Sequence, residues 1–256
     1  MKATVADTNS EVTPLKGFAG SNGKDKQRPA NWKEAEAMGY PQPMYDSVEQ
    51  QREVQRGFLK KVYGILSIQL ATTVGICWAV MAHPAVNSFF LDNGWLLMTC
   101  FILSLGLIVA LQMKKNEHPT NLMLLAAFTL VESVTVASLC AHYEAHGVGQ
   151  LVAVAWGITL LVFASLTLFV VVSPWDFSFL GLFLPAALIG FILYSFVCLL
   201  IGVQTGATFA FLGALLFSAF IVYDTHMIMT RMGCDDYVIA CVELYLDIIN
   251  LFIMIL

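Results

Sequence analysis

From about residue 58 to residue 256 the chain is a succession of apolar runs, broken by short polar connectors. The runs fall at about 58–81, 92–113, 120–142, 149–172, 179–203, 206–230 and 236–256. A helix needs roughly 20 apolar residues to cross a hydrocarbon core of about 30 Å, so each run is long enough to span a membrane. The pattern predicts an all-α membrane protein whose seven spans form one transmembrane domain over 51–256. Residues 1–50 lack apolar periodicity and are rich in Lys, Glu, Asn, Gly and Pro, which predicts a disordered tail. Within it, Gly39-Tyr40-Pro41-Gln42-Pro43-Met44-Tyr45 reads as a linker. From Ser47 to Lys61, Val54, Phe58 and Leu59 alternate with Gln51, Arg52 and Gln55 at helical spacing, which predicts a short interfacial helix. The tail holds no apolar run of the signal-peptide kind, so the first span is expected to direct insertion.

Breaks between runs agree with this partition. Pro119 suits the first turn of span three, where a missing N–H is harmless. Ser173-Pro174-Trp175-Asp176 separates spans four and five, and Met232-Gly233-Cys234-Asp235-Asp236 separates six and seven. Pro185 is expected to kink span five.

Composition sharpens the picture. Of 256 residues, 58% are hydrophobic and 12% charged, and the mean hydropathy is +0.75. Soluble domains are roughly a quarter charged, so lipid must cover most of this surface. No basic surface for nucleic acid is present. The six cysteines form no C-x-x-C pair and read as small buried hydrophobes.

Positive charge sets the orientation. Ten of the thirteen Lys/Arg precede or enter span one, Lys114 and Lys115 follow span two, and Arg231 follows span six. With seven spans all thirteen fall on one side, which places the N-terminus in the cytosol. A G-protein-coupled receptor has the opposite sense.

Four acids stand out away from the ends of the apolar runs: Glu132 in span three, Asp224 in span six, and Glu243 and Asp247 in span seven. Each costs about 2.5–3.5 kcal/mol to place in a bilayer. Thr129, Ser133 and Thr135 surround Glu132 and could satisfy it by hydrogen bonding alone. Asp224 and Asp247 are harder to explain that way. Glu243, Asp247 and Asn250 follow i, i+4, i+7 spacing and share one face of span seven. If that face meets Asp224 on the antiparallel neighbour, two or three carboxylates occupy one low-dielectric site and share a proton. Such a site can sense pH, bind a hard cation through carboxylate oxygens, or activate water for hydrolysis. Lys114 is the candidate counter-charge, or latch, for Asp224. Lys115 could replace it, and both could equally snorkel to headgroups.

Several segments stand in a distinctive order: Phe58-Leu59-Lys60-Lys61-Val62-Tyr63-Gly64, His118-Pro119-Thr120-Asn121, Phe128-Thr129-Leu130-Val131-Glu132-Ser133 and Asp176-Phe177-Ser178. The most specific close the chain: Tyr223-Asp224-Thr225, Asp235-Asp236-Tyr237 and Leu244-Tyr245-Leu246-Asp247-Ile248-Ile249-Asn250. Together they resemble the Bax inhibitor/Lifeguard family (transmembrane Bax inhibitor motif proteins). The resemblance implies a central seventh helix wrapped by the other six. It also implies a proton-sensitive calcium leak of the endoplasmic reticulum or Golgi, linked to inhibition of cell death. Asp224 and Asp247 match the family's sensor pair, and Lys114 matches its latch, where members often carry Arg. No cofactor is implied beyond calcium as the transported or bound ion. Expected partners are membrane lipids and cell-death regulators or other channels.

Two other functions stay open at this level. A non-conducting regulator would act through partner proteins. An intramembrane aspartyl protease would also place two aspartates on adjacent spans. However, Leu244-Tyr245-Leu246-Asp247 lacks that class's Gly-x-Gly-Asp context, and Pro185-Ala186-Ala187-Leu188 precedes both aspartates instead of following them. A non-enzyme is therefore expected.

Overall fold

The computed structural model describes residues 47–203, 206–233 and 236–256, with side chains from Glu53 onward. The tail through residue 46, including Gly39–Tyr45, lies outside the described residues, as do Cys234 and Asp235.

Helix α1 runs unbroken over Ser47–Ala82, 36 residues that join the predicted interfacial helix to span one. The last four residues assigned to the tail are its first turn. No proline interrupts it before Pro84, whose ring disfavours helical geometry at the preceding residue. His83 is accordingly extended, and Pro84 opens α2 (Pro84–Asp92) at the position where its missing N–H costs nothing. This nine-residue helix was read as connector in the sequence. It is held by Asn87, whose side chain donates to the Ala141 carbonyl at 3.4 Å.

The remaining helices are α3 (Trp95–Lys114), α4 (Thr120–Ala145), α5 (Gln150–Val172), α6 (Leu180–Ile201), α7 (Ala207–Thr230) and α8 (Tyr237–Ile255). Seven of the eight are long and apolar enough to cross a membrane, α2 being the exception. No strand occurs among the described residues. The fold is that of an integral membrane protein of seven spanning helices. Glycine ends two of them: Gly147 after α4 and Gly202 after α6 have φ of 72° and 70°, the left-handed geometry that closes a helix without a Cβ clash. Helix α6 is continuous through Pro185.

Helix α8 is the axis. Of its most apolar stretch 67% is buried, against 11% for α6. Cys241, Leu244, Tyr245, Ile248 and Phe252 have no exposed surface, so α8 is enclosed on every side. It packs against α1, α4, α5 and α7, and at its margin α3. Helix α6 leans chiefly on α7. Trp156 of α5 stacks on Phe252 at 4.2 Å, and Phe128 of α4 meets Tyr245 edge-on at 6.0 Å. A Cβ on Gly213 of α7 would strike Met254 and Phe191, so glycine there permits the close approach of α6, α7 and α8. The outer surface is apolar, with Trp78, Leu161, Leu182 and Leu199 exposed, as lipid contact requires. The five described cysteines are buried, as expected.

One end of the bundle gathers Lys61, Lys114, Lys115 and Arg231, and is called the basic end below. There Lys61 of α1 sits 3.2 Å over the Tyr237 ring, whose hydroxyl accepts from Asn121 at 3.2 Å. Lys115 reaches Asp236 at 3.4 Å, completing a clasp around the start of α8.

Candidate acidic site in the bundle core

Asp224 lies six residues before the end of α7, and Asp247 ten residues past the start of α8. At 1.5 Å per residue these depths differ, about 9 Å against 15 Å from the basic end. The Cα–Cβ bond of a helical residue tilts toward its own N-terminus, and α7 and α8 run antiparallel. Asp224 therefore leans deeper while Asp247 leans back. The tilt closes the gap, and the two carboxyl groups come within hydrogen-bonding reach.

Both are buried, with 7% and 6% of their surfaces exposed, so water cannot solvate either charge. Among the described residues no lysine or arginine bonds to them, and the cationic contacts all lie at the basic end. Oδ2 of Asp247 is buried and has no hydrogen-bond partner among the described residues. A carboxylate pair with an unmet oxygen and no counter-charge needs a shared proton or a cation. Glu243, half-buried, lies one helical turn nearer the basic end and within electrostatic range of Asp224 and Asp236. Asp236, Glu243, Asp224 and Asp247 thus form a file of carboxyl groups at successive depths from that end, and among the described residues no three acids, histidines or cysteines lie close enough together to hold a metal ion.

Other sequence candidates are placed elsewhere. Glu132 faces α3, beside Ser104 and Cys100, and not the aspartate pair. Thr129 and Ser133, expected to surround it, turn toward α1 instead: Gln69 donates to Thr129 Oγ1 at 2.9 Å, and Ser133 lies 2.9 Å from Thr73. Thr135 bonds back to the Val131 carbonyl at 3.2 Å. Asn250 folds onto its own helix, donating to the Leu246 carbonyl at 2.8 Å, and adds nothing to the acid file.

The Lys114 latch is not formed. Lys114 Nζ pairs with Glu117 at 2.7 Å, and Lys115, the alternative, pairs with Asp236. The reason is architectural. Helix α3 packs on α4 and only marginally on α8, whereas Asp224 is carried by α7, whose neighbours are α8, α5, α6 and α1. Glu117, three residues on in the same turn, is the closer carboxylate.

A second buried polar group was not anticipated. The Tyr245 hydroxyl lies 2.8 Å from Thr73, which also meets Ser133, tying α8 to α1 and α4. The Tyr63 hydroxyl lies near Thr225 and Thr167. Thr73 and Tyr63 sit among ordinary apolar residues of span one, and no spacing in the sequence sets them apart.

A seven-helix bundle threaded by a buried helix, with an aspartate pair between that helix and its neighbour, defines the class. Residues 55–256 match the family described as "Inhibitor of apoptosis-promoting Bax1". The chain belongs to this family, the Bax inhibitor/Lifeguard proteins. It is 40% identical to mouse (Mus musculus) "Protein lifeguard 4" over 204 residues, 79% of this chain and 84% of that protein. It is 38% identical to the "Golgi anti-apoptotic protein" of Vaccinia virus (strain Lister), with the same coverage. To "Bax inhibitor 1" of Schizosaccharomyces pombe it is 34% identical over 207 residues, 80% of this chain and 76% of that protein.

Proposed function

We propose that this protein is a proton-sensitive calcium leak of an intracellular membrane, Golgi or endoplasmic reticulum, that restrains cell death. The observation that supports the mechanism is the meeting of Asp224 and Asp247 in the bundle core, without a basic partner and with one carboxylate oxygen unmatched. The restraint of cell death and the Golgi location are drawn from the names of the relatives. With one proton between them, the carboxyls bond to each other and hold α7 against α8. When it leaves, two like charges repel in a medium that screens them poorly, and their oxygens become ligands for a hard divalent cation. Glu243 and Asp236 would relay the cation toward the basic end, which positive charge assigns to the cytosol. Lys61, Lys114 and Lys115 hold the mouth of that route through their contacts with Tyr237, Glu117 and Asp236.

The test is calcium flux from liposomes holding the purified protein, read from pH 6 to 8. Wild-type flux is expected to vary with pH, and Asp224→Asn and Asp247→Asn are each expected to flatten that profile. A profile that both variants leave intact would remove the aspartates from the mechanism. Protein that conducts no calcium yet still protects cells would point to a regulator acting through partner proteins. Labelling of the protein by a transition-state-mimic aspartyl inhibitor would point to hydrolysis.

A further inference from the structure

Away from the acid file, the basic end holds a cavity of about 440 Å³ between the α5–α6 connector and the end of α7. Its size lies in the range of small-molecule sites, about 300–1,000 Å³. It joins three kinds of lining. Val171, an exposed apolar side chain, lines it at the end of α5, and Val172 and Phe179 are exposed outside it at the same level. Arg231 and His226 of the α7 end supply N–H donors. Asp176 supplies a carboxylate beside the ring of Trp175, which is 69% exposed.

The connector is built, not draped. His226 Nε2 lies 2.9 Å from Asp176 Oδ1, which also accepts the Ser178 N–H at 2.9 Å. Both bonds fall on Oδ1 and neither on Oδ2. These bonds, chiefly those from Ser178, hold the Asp176 carboxyl down at about 2, so it is ionised at neutral pH. Ser178, which bonds to Asp176, also lines the cavity.

We infer that this cavity is a site for the headgroup of an amine-bearing glycerophospholipid of the phosphatidylethanolamine class. The phosphate lies against Arg231 and the Ser178 hydroxyl, the ammonium against Asp176 Oδ2 and the Trp175 face, and the acyl chains run along Val171 and its apolar neighbours. Three features favour this occupant. The cavity opens where apolar helix surface gives way to polar connector, the depth of a lipid headgroup. It presents one cation and one anion, matching a zwitterion and not a purely anionic ligand. The carboxylate accepts hydrogen bonds, which a primary ammonium donates and a choline cannot, whereas the indole ring would take either. This inference stands apart from the calcium reading, since no residue of the acid file lines the cavity.

Native mass spectrometry of the full protein, released from nanodiscs of phosphatidylethanolamine, phosphatidylcholine or phosphatidylglycerol, tests it. One phosphatidylethanolamine is expected to stay bound where the other two are lost. Arg231→Gln should weaken retention about tenfold, the effect of one charge-assisted bond. Asp176→Asn should erase the preference for the amine over phosphatidylglycerol. Soluble glycerophosphoethanolamine competing against the wild-type protein needs no variant and should displace the lipid better than glycerophosphate. Equal retention of the three lipids, or a preference that survives both substitutions, overturns the assignment. Displacement by inorganic phosphate as effective as by glycerophosphoethanolamine would also overturn it, marking a site for free anions.

Discussion

Helices α6 and α8 are nearly equal in hydropathy, 2.5 and 2.2 over their most apolar stretches, yet one lies against lipid and the other at the centre. Leu199 of α6 is 76% exposed and Leu244 of α8 is fully buried. Hydropathy therefore tells that a segment spans and not where it stands. What distinguishes α8 is its polar inventory. It carries Asp247 and Glu243 into the membrane, acids that have a place only if protein surrounds them, and its Tyr245 hydroxyl bonds within the core. In α6 Ser195 bonds to its own backbone, at Phe191, and Tyr194 stands 55% exposed. A membrane offers no hydrophobic force to sort equally apolar helices, so packing and polar partners do the sorting.

Substitutions in the two helices should separate accordingly. Asp247→Asn should abolish the pH response of calcium flux, and Ser195→Ala should leave it unchanged, in the same liposome assay. A response altered equally by both would erase the functional contrast. Leu244→Ala should cost about 2–5 kcal/mol of stability by opening a cavity on the axis. Leu199→Ala should fall within about 0.5 kcal/mol, because lipid fills the space. Thermal melting in detergent reads both, and equal losses would place α6 in the core. Tyr245→Phe should cost about 0.6–2 kcal/mol, since it removes one intramembrane hydrogen bond and leaves the ring in place. The smallest effect is expected outside the bilayer. The Asp176 carboxyl lies at about 2 against an ordinary 3.8, lowered by its bonds to Ser178 and His226. A lowered value means that its contribution to the connector is complete above about 3.8 and fades as pH falls toward 2. Hydrogen exchange of residues 173–179 should be flat from pH 8 to 5 after correction for intrinsic rates, and Asp176→Asn should raise it throughout. Protection lost near neutral pH instead would mean that another group holds the connector.

Much of this was legible in the sequence because the bilayer permits so few solutions. Spans predicted at 149–172 and 206–230 appear as Gln150–Val172 and Ala207–Thr230. The aspartates were legible because an acid in an apolar run has no bland explanation. Helix α2 was not, because nine residues opened by a proline look like a connector until Asn87 finds the Ala141 carbonyl. The partner of Lys114 was left open between Asp224 and the headgroups, because position along the bundle axis does not say which helix the lysine meets. Glu117, within one turn, meets the lysine without crossing to another helix. The Thr73–Ser133–Tyr245 group escaped because hydroxyls in membrane helices usually bond to their own backbone, as Thr72 does to Ile68. Asn250 illustrates the reverse error: it shares the acids' face by spacing, and its amide turns back on Leu246.

Tyr245 and Asp247 are two residues apart, about 200° around the helix, so they point to nearly opposite sides of α8. One side is moored to Thr73 and the other faces Asp224. A spindle held at two opposed points cannot turn without loosening both. Torsion of α8 is thus the motion by which losing a proton on one flank would be felt on the other, and Tyr245 fixes the angle to which the spindle returns.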